Sequence, residues 1–532
     1  MASFLFESIS QLHSLVTDSR PRPGLHPIPG SQPLTFGAAI LPPLTYYVAL
    51  LLLAPPPPPA IESIYVKTLR NILALTAGIL FFRLPLAYHV PQSIGLTYQL
   101  GLVGLYGGCR VIDAFFISPY FFKHVPRRVK YVHKPRLESP TSKGVGSAKN
   151  WSDGGVKELR PPRESSVVCD TSGSETSENN NRRRSSFSAN IARRMSDSIP
   201  DAARTSYIAV QHTLTGPSPR PVLETATTES GWPQSFRDRA SWALELELSM
   251  RGVGFTWTTA DVRHTRKTWL PTVGNRIHSV FIHALPVLLA NWFIIKSIYV
   301  RYLATPLTLL SPPEPLTDEA QSRELFDTAL PLPIQLLLTG ALGAFLMAAF
   351  SLGHSLFAIL LSPLAPSPLA FFPPLYSTRI WDIRSVRAFW SYGWHRLFAR
   401  LFLVYGVWPG EWIERKLTGK KDGEPADVGK VLGGFLASAF VHSFSVRGVL
   451  GGEWASAAGE ARFFALNGVA VVIEEAVRRA VRSGRKRRGV CERMWYDGWV
   501  GRLWWIAVLL GTGRNFARGW VKSGLVREIA FQ

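Results

Sequence analysis

The feature that most constrains this 532-residue chain is the grouping of its apolar residues into blocks of about 20, with Lys and Arg gathered between them. Twenty helical residues rise about 30 Å, the thickness of the hydrocarbon core of a bilayer. Blocks of this kind run over residues 36–54, 68–89, 94–118, 277–299, 331–361, 428–445, 461–480 and 499–513. Inside a bilayer every backbone N–H and C=O must be paired within the element, so only helices or a closed barrel can cross. The two-residue alternation of barrel strands is absent. The expectation is an all-α, polytopic helical membrane protein with about eight transmembrane helices. A shorter apolar stretch, residues 397–408, suits a re-entrant or interfacial helix as well as a span.

Charge supports the same class. The formal net charge is +22, from 59 Lys and Arg against 37 Asp and Glu. In a soluble chain this would point to nucleic acid; in a membrane chain basic loops set orientation on the cytoplasmic side. No nucleic-acid partner is therefore expected, and the remaining basic surface suits membrane lipid or the phosphates of a nucleotide-bearing cosubstrate.

Three regions follow: N-terminal transmembrane helices over 1–122, an insert over 123–240, and a C-terminal core over 241–532. The insert is Ser-rich and poor in aliphatic runs, a composition expected to be disordered. Over residues 123–200 it carries 16 Lys and Arg against 8 Asp and Glu, which assigns it to the cytoplasm. The acidic loop near 311–327 fits the opposite side, and Arg485–Arg488 returns to the cytoplasm. The first apolar block reads as a retained signal anchor. Cys109, Cys169 and Cys491 are far apart, so neither a disulfide framework nor a metal site is expected.

Polar side chains inside apolar spans are costly and mark candidate sites. In GGFLASAFVHSF, Gly434, Ser438 and His442 recur every four residues and share one helical stripe. Small residues there admit a close helix or a flat ligand, and a neutral imidazole in an apolar channel can act as a base. A histidine bonded only to a neighbouring helix would give the same pattern. In RSVRAFWSYGWHRLF, a helix would put Arg387, Ser391 and His395 on one face and Trp390 and Trp394 along another. A site that binds phosphate or orients a hydroxyl fits this stretch, and so does an interfacial anchoring helix. Asn467 is a candidate ligand contact in FFALNGVAVVIEE, where Glu474 and Glu475 precede Arg478 and Arg479 by four residues and suit structural ion pairs. The glycine pair of RGVGFTW is weak evidence for a phosphate loop, since no strand precedes it.

Taken in order, four segments resemble the fungal wax-synthase-like branch of the membrane-bound O-acyltransferases: RGVGFTW from Arg251, PPLYSTRIWDIRSVRAFWSYGWHRLF from Pro373, FLASAFVH from Phe435, and FFALNGVAVVIE from Phe463. The resemblance covers about residues 245–520. It implies transfer of an acyl group from acyl-CoA to the hydroxyl of a lipophilic alcohol, with His442 catalytic and His395 its polar partner. Arg387, Trp390, Trp394, Ser438 and Asn467 are the expected substrate contacts. It also implies an endoplasmic-reticulum location, an acetyl donor and a terpenoid or polyketide acceptor, with a long-chain wax ester as the alternative product. No metal and no redox cofactor is expected. A transporter or lipid-binding scaffold, whose buried histidines relay protons or pack, is the reading from another class.

Overall fold

The computed structural model describes residues 21–54, 62–122, 124–128, 232–233, 235–253, 255–257, 273–304, 326–361, 375–376, 380–420, 427–489 and 494–531. The fold is all-α. Its only named strands, Gln32–Pro33 and Tyr88–His89, form a two-residue parallel pair among the described residues.

Every apolar block of the sequence lies on a helix. The elements are α1 (Phe36–Leu51), α2 (Ile64–Ala87), α3 (Ile94–Ile112), α4 (Phe236–Leu248), α5 (Leu285–Ile298), α6 (Leu332–Leu361), α7 (Trp408–Thr418), α8 (Asp427–Arg447), α9 (Ala458–Arg487), α10 (Asp497–Lys522) and α11 (Leu525–Ile529). Helix α3 continues as a π-helical stretch over Asp113–Phe121, and α5 is extended at both ends by π turns. Among the described residues, four stretches are long and apolar enough to cross a bilayer: Ile64–Ala87, Ile94–Phe121, Arg276–Leu303 and Leu332–Leu361. Helices α8, α9 and α10 coincide with the other long blocks but carry more charge, which in α9 runs from its middle to its C-terminus. Residues 399–418 form one continuous helical run that ends in α7. Most of the insert and of the acidic loop, namely residues 129–231 and 305–325, lies outside the described residues. Residues 236–248, at the far edge of the insert, form α4.

Helix α8 lies at the centre of the bundle, packed against α3, α7 and α9, while α10 bridges α9 and α6. The stripe of Gly434 and Ser438 admits a close helix or a flat ligand, and the helix-to-helix approach itself is made one residue earlier, at Gly433. A Cβ on Gly433 would lie 2.2 Å from the Gly406 carbonyl oxygen, and one on Gly429 would lie 2.2 Å from that of Gly410. These two pairs, each spaced by four residues, let the helices touch backbone to backbone. At Gly434 a Cβ would meet only the Val407 side chain, at 3.3 Å. Gly433→Ala is therefore expected to destabilise the protein by about 1–3 kcal/mol, the range for forced overpacking, whereas Gly434→Ala costs far less. Thermal midpoints of the two variants in detergent check this; equal midpoints would refute the assigned contact.

The N-terminus of α3 is held from the far end of the chain. Ser93 caps it, and the Glu528 carboxylate of α11 accepts from the Ser93 hydroxyl (2.6 Å) and the backbone N–H groups of Ile94 (2.7 Å) and Gly95 (3.2 Å). An anion at a helix N-terminus meets orphan N–H groups and the positive end of the helix dipole. This clamp sits one turn before Tyr98.

Buried Arg110 ties α3 to α4: its guanidinium donates to the Leu246 and Ser249 carbonyls and to the hydroxyls of Tyr46 and Tyr106. Beside it on α4, burial pushes the Glu247 carboxyl up to about 7, and attraction to Arg110 only partly offsets this. The folded state thus holds a proton that the unfolded chain has already released, so stability falls as pH rises from near 4.5 to about 7 and stays lowered above. Glu247→Gln should raise the thermal midpoint at pH 8 and leave it unchanged at pH 4. An equal gain at both pH values would show that titration of Glu247 is not the cause.

Candidate active site at His442

His442 lies on the helical stripe expected for it, in the last two turns of α8, and turns toward other helices of the bundle. Its Nδ1 is 2.7 Å from the hydroxyl oxygen of Tyr98 on α3, and its ring stacks on Phe464 of α9 with centroids 4.5 Å apart. The residue is half-buried, and among the described residues no hydrogen bond occupies Nε2. Position and orientation are thus set from two neighbouring helices, and one ring nitrogen is left for chemistry.

His395 departs from the expected geometry. The helix that begins at Val386 passes into a π turn over Phe389–Gly393 and stops, because the Trp394 N–H bonds back to the Phe389 carbonyl (2.8 Å) and Trp394 is extended. His395 therefore does not continue a helical face from Arg387 and Ser391. It is buried in the following loop, against Phe350 of α6 (4.7 Å) and Trp394 (5.0 Å). Its Nδ1 is buried with no hydrogen-bond partner among the described residues. Buried polar atoms in folded proteins are seldom left so. His395 lies within electrostatic range of both His442 and Arg251.

Aromatic rings join the two histidines. From His442 the contacts run to Phe464, on to Trp390 (5.7 Å), to Trp394 (6.1 Å) and to His395 (5.0 Å). Asn467, fully buried, fixes this wall: its Oδ1 accepts from the Trp390 indole N–H (3.1 Å), while its Nδ2 donates to the Phe463 carbonyl and the Thr512 hydroxyl. Ser438 is buried on α8, one turn before His442. Of the seven residues singled out in the sequence, His395, Trp390, Trp394 and Asn467 are thus linked by direct contacts, and His442 joins them through Phe464. Arg387 is not among them; its side chain is 56% exposed and pairs with Glu475 at 3.3 Å.

Glu474 and Glu475 make the helical ion pairs expected with Arg478 (3.8 Å) and Arg479 (3.3 Å). Glu474 also accepts from the Val386 N–H, which anchors the start of the 386–393 segment on α9. Gly252 of RGVGFTW has φ +66°, and a Cβ there would lie 2.8 Å from Trp257 Cβ, so this glycine serves a tight turn. Tyr98, Phe464 and Glu460 were not singled out from the sequence. An aromatic residue in an apolar block and an acid at a helix start are too common to stand out.

The described residues contain no cluster of three or more His, Cys, Asp or Glu able to hold a metal ion. A membrane-embedded helical bundle with an accessible histidine facing a second across tryptophans defines the class of site. Residues 372–466, from the segment before Trp390 into the first third of α9, match the membrane bound O-acyl transferase family. The chain is also similar to the acetyltransferase eriL of Hericium erinaceus, at 25% identity over 244 residues, covering 46% of this chain and 58% of that protein. Similarity to the acetyltransferase ple2 of Rhodocybe pseudopiperita is 28% over 279 residues, covering 51% of this chain and 64% of its relative. The chain thus spans somewhat under two thirds of the length of either relative. No solved structure matches it.

Proposed function

We propose that this protein is a membrane O-acyltransferase that moves an acyl group, most simply acetyl, from acyl-CoA to a hydroxyl of a lipophilic acceptor such as a terpenoid or polyketide. The observation that carries the reading is His442 with Nδ1 engaged by Tyr98 and, among the described residues, no partner on Nε2, within electrostatic range of His395. The family match over residues 372–466 and the two acetyltransferase relatives support the reaction class.

In this reading His442 Nε2 accepts the proton of the acceptor hydroxyl as its oxygen attacks the thioester carbonyl. The C–S bond breaks, and the proton passes from Nε2 to the departing thiolate. His395 polarises one of the reacting groups through its unpartnered nitrogen. Trp390 and Trp394, held by Asn467, line the apolar path for the acceptor, and Ser438 borders it. Arg387, on the exposed side of the segment, meets the wet phosphates of CoA in competition with Glu475. Acyl-CoA is a cosubstrate, and no other cofactor enters the reaction. The endoplasmic reticulum suits an enzyme that draws a lipophilic alcohol from the bilayer.

Mass spectrometry of lipid extracts from cells expressing the wild type or His442→Ala tests the reading. An acylated lipid present only with the wild type is the expected result. Identical lipid profiles at equal protein levels would overturn it.

A further inference from the structure

The proton inventory around His442 identifies what the base depends on, an inference that rests on the acyl-transfer reading. A neutral imidazole carries one N–H, so Nε2 can accept a proton only if that hydrogen is on Nδ1. Nδ1 faces the Tyr98 hydroxyl at 2.7 Å, so in the competent tautomer the Tyr98 oxygen accepts. If the hydroxyl donated instead, Nε2 would carry the hydrogen and could not act as a base. The Tyr98 O–H hydrogen therefore needs an acceptor elsewhere.

Only one unexplained carboxyl lies close by among the described residues. Glu460, in the first turn of α9, has no exposed surface, and neither of its oxygens has a hydrogen-bond partner among the described residues. It packs on α10 beside Tyr98: a Cβ on Gly519 would be 3.0 Å from Glu460 Oε1, and the adjacent Trp520 ring contacts the Tyr98 ring edge-on at 6.1 Å. The Trp520 indole N–H is likewise buried without a partner among the described residues. Glu460 is close enough to act electrostatically on the Tyr98 hydroxyl. A buried carboxyl with no partner costs several kcal/mol, and such groups ordinarily have a bond or a task.

We propose that Glu460 accepts the hydrogen bond of the Tyr98 hydroxyl through one ordered water, and so holds His442 in the tautomer whose Nε2 is the base. Both are positioning residues. The proton of the acceptor alcohol moves to Nε2 and then to the leaving thiolate. Tyr98 and Glu460 gain and lose none, but their aligned dipoles stabilise the transient imidazolium.

The test uses microsomes with radiolabelled acetyl-CoA and the neutral-lipid extract of the expressing cells as probes, acetyl-CoA being varied. Tyr98→Phe and Glu460→Leu are each expected to lower kcat by about 10–100-fold, the usual effect of losing a residue that orients another, with KM for acetyl-CoA unchanged. The double variant should be no slower than the worse single one, since both remove the same link. Glu460→Gln keeps an acceptor oxygen and should retain most of the rate. Multiplying effects in the double variant, a raised KM, or wild-type turnover by Tyr98→Phe would each overturn the proposal. If Glu460→Leu does not accumulate, Tyr98→Phe and Glu460→Gln decide: a slow first and a fast second uphold it, and any other pairing overturns it. Full activity of His442→Ala would instead remove His442 as the base, and no label incorporation by the wild type would remove the acyl-transfer reading itself.

Discussion

His442→Ala microsomes should form ester about 10²–10⁴-fold more slowly than wild type at saturating acyl-CoA, the contribution expected of a positioned general base. The loss should fall on kcat, because proton transfer is an interaction of the transition state and not of substrate binding. Protein level should hold. Helix α8 is anchored through Gly429 and Gly433, about three and a half and two and a half turns before His442, and through the buried Ser443 hydroxyl, which donates to the Ala457 carbonyl at 3.1 Å. Truncating the imidazole removes the Phe464 stack and leaves the Tyr98 hydroxyl without its nitrogen, but neither contact joins α8 to α7. Rates with labelled acetyl-CoA, normalised to immunoblotted protein, give the measurement. An unchanged kcat would show that His442 is a packing residue, the bland alternative that its sequence pattern leaves open.

The largest expected effect on stability is at Asp113. Its carboxylate, 2% exposed where α3 becomes π-helical, takes Arg400 in a two-pronged pair (2.7 and 3.1 Å) and the Ser118 hydroxyl (2.7 Å). The Arg400 guanidinium lies over the rings of Trp257 (5.1 Å) and Trp408 (5.6 Å), leaving it little water. Removing one partner of a buried pair strands the other charge, which costs about 3–5 kcal/mol. Asp113→Ala should therefore lower the thermal midpoint in detergent sharply, and a double Asp113→Ala, Arg400→Met variant should recover part of the loss. A midpoint for Asp113→Ala equal to wild type would mean that Arg400 finds water or another partner. Because Arg400 leads into the helical run that ends in α7, this pair also fixes the segment that follows His395.

Legibility differed from residue to residue for physical reasons. His442 could be found because an ionisable group in an apolar span is expensive, and cost is visible in sequence. Trp390, Trp394 and Asn467 could be listed as candidates, but the indole-to-amide bond that joins them spans 77 positions and left no local mark. His395 was placed on a helical face because local pattern assumes 3.6 residues per turn; the π turn ending at Gly393 broke that period. Gly433 was passed over for Gly434 because both are glycines on one helix, and only the facing helix, with Gly406 and Gly410, decides which makes contact. Tyr98 and Glu460 gave no signal, since a tyrosine in an apolar block and an acid at a helix start are ordinary until their neighbours are known.

By itself the sequence determined the class of solvent and the kind of element, because block length, hydropathy and the need to pair every backbone group act along the chain. It also determined which helix carries the candidate base. The tertiary structure decided which side chains surround that base, since ring stacking, a hydroxyl 344 positions away and a carboxyl buried against Gly519 depend on how helices are laid side by side. Periodicity assigns a residue to a face of its own helix; what that face meets is settled only by packing.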